Sequence, residues 1–166
     1  MKRRLDSFKK NQKGFTLVEL IVVLVILAIL AALLVPALLG YIDRARNTKY
    51  LEEARSIFTA LQAVNDEQYA AGKEHITSLA TGSDGANAVN KLVSPTEVSA
   101  ATIVYLDTAA SVGAATDKHK YYTVSYITGL TFKSQDGSTV TVSMKTDGSG
   151  TWDADNMNIT APSSGG

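Results

Sequence analysis

The 166-residue chain contains no cysteine. That absence excludes a disulfide framework, a thiolate metal site, a cysteine nucleophile and a cysteine-borne N-terminal lipid anchor. Imidazole is nearly as scarce, because His75 and His119 are the two histidines and stand 44 positions apart. Without local ligand spacing they read as ordinary surface or loop residues. Little material for catalysis is left, and the chain is read as a non-enzyme. Charge is missing in a third way: the formal net charge is zero, yet its two parts do not match. Residues 1–14 carry six Lys/Arg against Asp6, whereas residues 15–166 carry ten against fifteen acids.

What is present lies mostly near the start. Of the 25 positions from Phe15 to Leu39, 22 are apolar, and Leu20 to Leu39 runs 20 residues without a charge. As an α-helix that run is about 30 Å long, the thickness of a bilayer's hydrocarbon core. The basic cluster of Lys2, Arg3, Arg4, Lys9, Lys10 and Lys13 precedes it, so the positive-inside rule keeps Met1 in the cytoplasm and sends everything after Gly40 across the membrane. A cleaved secretory signal would end on a small-x-small site. Here Ala28, Ala31, Ala32 and Ala37 are each followed two positions on by leucine. A buried core helix seldom needs such a run either. A plain membrane anchor survives these tests but leaves Glu19 unexplained, since a carboxylate within a membrane segment costs about 2.5 to 3.5 kcal/mol at the centre and calls for a partner or a function.

The stretch Lys13-Gly14-Phe15-Thr16-Leu17-Val18-Glu19-Leu20, followed by a long apolar run containing Pro36, resembles the class III signal sequence of type IV prepilins and the related pseudopilins. The resemblance covers about the first 40 residues closely and the rest by general layout. It implies that a membrane-bound prepilin peptidase cuts between Gly14 and Phe15 on the cytoplasmic side and methylates the new amino group of Phe15. A residue without a side chain at Gly14 would let the protease approach the backbone. It further implies that Glu19 pairs with the Phe15 ammonium of a neighbouring subunit as that subunit docks into a growing fibre. Such a pair fixes register more than it adds stability, because both charges must be desolvated. Pro36 removes one helical hydrogen bond, so a kink or local opening is expected between Pro36 and Gly40. In pilins this is a segment that can melt in the fibre, although membrane helices also carry proline without a special role.

Beyond Gly40 the pattern becomes amphipathic. Tyr50, Ala54, Ile57, Leu61 and Val64 recur every three to four positions, with Leu51 and Phe58 beside them and charges on the other face. The helix is expected to span 15–72, with 15–39 crossing the membrane and Gly72 as its stop. Its length of about 85 Å exceeds a small domain. A connecting loop is expected over 73–100, with a short helix at Ala86 to Leu92 capped from Ser83-Asp84-Gly85. Strands are read at Thr102 to Leu106, Tyr121 to Thr128, Leu130 to Ser134 and Thr139 to Lys145, with a hairpin at Asp136-Gly137 and a last strand near Thr151-Trp152. The fold class is therefore α+β: a long N-terminal helix packed on a small antiparallel sheet in a pilin-like head over 101–166, ending in a mobile tail.

Asp147, Asp153 and Asp155 offer oxygen ligands near the C-terminus, and major pseudopilins bind calcium in a loosely similar acidic loop. The ordered spacing of a recognised calcium loop is missing, so they are weak candidates and no other cofactor is expected. Asn158-Ile159-Thr160 matches a glycosylation sequon. Residues 40–166 carry ten bases against fourteen acids, which disfavours nucleic acid as a partner. The sequence thus reads as a structural pilus subunit, first a single-pass protein with its head outside the cytoplasmic membrane and then part of an extracellular filament. Its expected partners are its own copies, prepilin peptidase, and an assembly platform with a cytoplasmic ATPase. The alternatives are a pseudopilin of a secretion or DNA-uptake apparatus and a permanently anchored binding protein.

Overall fold

The computed structural model describes residues 14–106, 113–115, 117–144, 151–152 and 158–160. Its first element, α1, runs from Leu17 to Ala70. The chain divides within this helix into two units, residues 1–44 and 45–166, which have unlike environments.

In the first unit every residue from 14 to 44 is exposed. The helix holds a window of mean hydropathy 3.3, none of it buried, so leucine, valine and isoleucine side chains lie bare along it. It is long and apolar enough to cross a membrane. Helical structure continues through Pro36 and Gly40, so the opening expected there is not a break in the helix in this state. A proline costs its own amide bond, and helical conformation on both sides can persist around that one loss.

The second unit starts from the amphipathic part of α1. Tyr50, Ala54, Ile57, Ala60, Leu61 and Val64 are buried at the expected spacing. The helix ends in paired reverse bonds: Lys73 N–H donates to Gln68 O (3.0 Å) and Gly72 N–H to Tyr69 O (3.1 Å). This Schellman closure needs a left-handed residue, and Gly72 supplies it with φ +65°. A second helix, α2 (Asp84–Val93), starts where the Ser83 hydroxyl accepts from Ala86 N–H. Gly85 in its first turn has no room for a side chain, since a Cβ there would lie 2.3 Å from Ile76 Cγ2 and 2.5 Å from Ser78 O.

Four strands follow in one antiparallel sheet of order β1-β2-β3-β4: β1 (Glu97–Tyr105), β2 (Val124–Lys133), β3 (Thr139–Val142) and β4 (Asn158–Thr160). Val98, Ile127, Leu130, Phe132, Val140 and Val142 join Ile57, Leu61, Leu79 and Val89 in a single apolar cluster that also takes in Met144 and Trp152. The expected α+β layout is therefore what the chain adopts.

Several details differ from the sequence reading. The segment 73–100 is not all loop: α2 begins at Asp84, ahead of the expected Ala86, and β1 begins already at Glu97. The two strands expected around Gly129 are one, because its amide finds the Ser143 hydroxyl (2.9 Å) and the strand carries on. Tyr121 and Tyr122 belong to a short helix, α3 (Lys118–Tyr122), whose first amides are capped by the Asp117 carboxylate. The hairpin at Asp136-Gly137 joins β2 to β3 as expected, with Ser134 N–H donating to Ser138 O (2.8 Å). Trp152 forms a bridge to Met144, and the sequon residues Asn158 to Thr160 form β4, paired to β3.

Candidate functional site at the start of the helix

Thr16-Leu17-Val18-Glu19 has the Ser/Thr-x-x-Glu spacing of a capping box. The structure forms it in full. Thr16 N–H and the Thr16 hydroxyl both donate to Glu19 Oε2, at 2.9 and 2.8 Å, and Glu19 N–H donates to Thr16 Oγ1 at 3.2 Å. Leu20 N–H then donates to Thr16 O (3.2 Å), so Thr16 is the cap and Leu17 the first helical residue. A carboxylate in the first turn also meets the positive end of the helix dipole. The box is visible in the sequence as a spacing, whereas weighing Glu19 by its charge alone leaves Thr16 without a role.

Phe15 stands one residue ahead of this cap and is 86% exposed. Gly14 is exposed too, and a Cβ placed on it would meet nothing within 4 Å. The peptide bond between them is thus in open chain beside an ordered helix. The arrangement offers an accessible backbone, an aromatic side chain free of packing and a carboxylate held in one place.

The other singled-out residues lie elsewhere. Asp147, Asp153 and Asp155 fall outside the described residues, and among the described residues no three His, Asp or Glu side chains gather as a metal site. His119 is exposed, as expected of a surface residue, whereas His75 is half-buried. Their rings join a run of aromatic contacts: His119 on Tyr69 (5.2 Å between centroids), Tyr69 on Tyr122 (5.2 Å), Tyr122 on Tyr121 (5.1 Å), Tyr121 on His75 (4.3 Å) and His75 on Tyr105 (3.9 Å). Polar bonds fasten the same cluster. Buried Asn65 on α1 accepts from Ile76 N–H (2.9 Å) and donates to the Tyr105 hydroxyl (3.1 Å), while Tyr121 bonds Glu74 and Tyr122 bonds Lys73 O. Burial pushes the His75 imidazole below its ordinary pKa and the Tyr105 phenol up to about 12. The cluster reads as a clasp between the end of α1, the following loop, α3 and β1. Isolated histidines give no sequence signal for such packing.

A second polar contact fixes the hairpin to α1. Tyr50 hydroxyl donates to Asp136 Oδ2 (2.9 Å), and Lys49 Nζ lies 3.5 Å from the same oxygen and 3.7 Å from Glu53 Oε1. The Ser138 amide, with help from Tyr50 and Lys49, holds the Asp136 carboxyl well below the usual carboxylate range. Glu53 is 7% exposed and neither of its carboxylate oxygens accepts a hydrogen bond.

Comparison with known proteins agrees with this picture of the N-terminus. The family described as the prokaryotic N-terminal methylation motif matches residues 9–35. A curated protein, the type IV wide pilus major component PilA4 of Thermus thermophilus, is 36% identical over 88 residues. That match takes in 51% of this chain and 66% of the relative, just under two thirds of its length. No solved structure matches. With the methylation motif on the bare apolar helix, an α+β head behind it and a pilus component as relative, the chain is similar to type IV pilins.

Proposed function

We propose that the chain is the structural subunit of a type IV pilus, made as a precursor and polymerised through its N-terminal helix into a surface filament. The observation that carries this reading is the apolar half of α1, whose side chains are exposed among the described residues. Burial of apolar surface is worth about 25 cal/mol per Å², so such a surface is stable in a bilayer or among copies of itself and not in water. A subunit that passes from the first environment to the second is a membrane precursor that becomes a fibre. Prepilin peptidase cuts between Gly14 and Phe15 and methylates Phe15; an assembly platform and ATPase move the subunit, which turns over no substrate. Glu19 receives the Phe15 ammonium of a neighbour. The segment from Pro36 to Gly40 yields when the fibre forms, since the carbonyl facing proline has no amide to hold it. Asp147, Asp153 and Asp155 are the oxygen donors the head offers to a calcium ion.

Mass spectrometry of filaments sheared from intact cells tests the reading. The expected N-terminal peptide begins at methylated Phe15. The same cut found only in the cell envelope would instead identify a pseudopilin, and a retained Met1 to Gly14 would identify a permanent anchor.

A further inference from the structure

A cleft of about 380 Å³ lies on the head where the Thr81-Gly82 turn and the flank of α2 meet the start of β1 and the ends of the next two strands. The filament reading leaves it without a role. Its sheet side is a cross-strand row: Glu97 on β1 stands opposite Lys133 on β2, which stands opposite Thr139 on β3. Side chains alternate along a strand, and Val98, Phe132 and Val140 belong to the core, so the row lies on the other face of the sheet. Opposite charges that face each other across an antiparallel pair ordinarily join. Here, among the described residues, neither Glu97 nor Lys133 forms an ion pair, and both are exposed. A carboxylate and an ammonium group thus stay available to the cleft.

Two amides on α2 complete the wall, and their partners fix which way each is turned. Asn90 Oδ1 accepts from Val98 N–H (2.8 Å), which leaves its NH2 group as a donor. Asn87 Nδ2 donates to Gly82 O (3.4 Å), which leaves its carbonyl as an acceptor. The frame behind them is tied as well, since Thr81 N–H donates to Ser99 O (3.0 Å) and the Ser99 hydroxyl to Thr131 O (3.0 Å). β1 and β4 are the two edges of the sheet, so the α2 side of the cleft lies across the sheet from β4.

The uncommitted groups are two donors, Lys133 and the Asn90 amide, and two acceptors, Glu97 and the Asn87 carbonyl, with no net charge. One carboxylate is too few for a cation site, and one lysine opposite an acid is too little for a phosphate. Among the described residues no aromatic ring lines the cleft for a base to stack on, and Val98 is only 2% exposed, which leaves little for an apolar ligand. Alcohols fit, because each hydroxyl both donates and accepts, and neighbouring hydroxyls can engage a donor and an acceptor together. The volume falls toward the lower end of the range of about 300–1,000 Å³ for small-molecule sites. We propose that this cleft binds a short neutral saccharide through its hydroxyl groups, with Asn87, Asn90, Glu97 and Lys133 as the contacts. The site belongs to the head alone, so its test does not depend on whether filaments form.

The full-length chain, held in a sugar-free zwitterionic detergent, is applied to an array of immobilised glycans with neutral, sialylated and sulfated ends. At least one neutral glycan is expected to bind, with the same oligosaccharide competing from solution. Glu97→Gln, Lys133→Met and Asn90→Asp, the last of which keeps the acceptor for Val98 N–H, should each weaken that binding about tenfold, the cost of one group left unpaired. The midpoint of urea unfolding is expected to stay unchanged. Glu97 and Lys133 are exposed, so their variants carry the test if Asn90→Asp lowers the midpoint. No neutral glycan bound, binding confined to the sialylated or sulfated glycans, or binding that every folded variant retains overturns the proposal.

Discussion

Glu19 carries a charge into an apolar helix, and the structure shows it satisfied locally by Thr16. Its removal should therefore cost the precursor little. Glu19→Ala is expected to insert and be processed normally yet to give few filaments; shearing yield measured beside N-terminal peptide mass decides, and full assembly would sink the docking role. His75 is a second residue whose environment predicts behaviour. Its ring is packed between Tyr105 and Tyr121, in the clasp that Asn65 and Glu74 also fasten. Because burial lowers its folded pKa below 6.5, the unfolded chain binds the proton more readily, so stability is greatest above that value and declines as pH falls through it toward the folded pKa. Asp136 acts in a lower window: its depressed pKa contributes stability above 3.8 that is lost as pH falls further. Urea unfolding at about pH 8 and about pH 5.5, on either side of the ordinary histidine pKa, should show His75→Gln losing less stability on acidification than the wild type. Equal losses would remove His75 as the cause. Glu19 is legible in the sequence because an acid among leucines contradicts its surroundings. His75 is not, because stacking depends on which loops meet.

The elements divide by how local their causes are. α1 is readable over nearly its whole length, since its apolar run, its later three-to-four spacing and its glycine stop are all short-range patterns. Gly72→Ala should cost about 1 kcal/mol through the left-handed conformation alone, and Gly85→Ala about 1 to 3 kcal/mol by forcing Ile76 and Ser78 apart. Denaturant midpoints compare the two, and a neutral Gly85→Ala would contradict the close approach. Glu53 behaves in the opposite way. Buried beside Lys49 with both oxygens lacking hydrogen bonds, it is expected to be replaceable by leucine with no loss, or with a gain of about 1 kcal/mol; a drop in midpoint would show that the ion pair stabilises the head. The sheet is harder to read. Gly129 looks like punctuation between strands because glycine usually weakens one, and only the Ser143 hydroxyl, fourteen positions away, explains why β2 continues. α3 escapes the sequence for a related reason: two tyrosines resemble strand residues by propensity, while the Asp117 cap that turns them into a helix is a contact of one side chain with two amides.

At the scale of the whole molecule, one unit completes its own core and the other does not. The buried apolar cluster lies entirely within residues 45–166, so a fragment from Ala45 onward is expected to be soluble and to unfold in one cooperative transition. Circular dichroism through a urea titration checks this, and a broad non-cooperative loss of signal would mean that the apolar half of α1 is needed for the head to fold. The C-terminal part of the head is attached by strand pairing: β4 lies along β3, and Trp152 meets Met144. With no thiol anywhere in the chain, that attachment is indifferent to redox conditions. It can open and close many times without an oxidant to reseal it, so its persistence is an equilibrium property, governed by temperature and solvent where a covalent staple would be governed by chemistry.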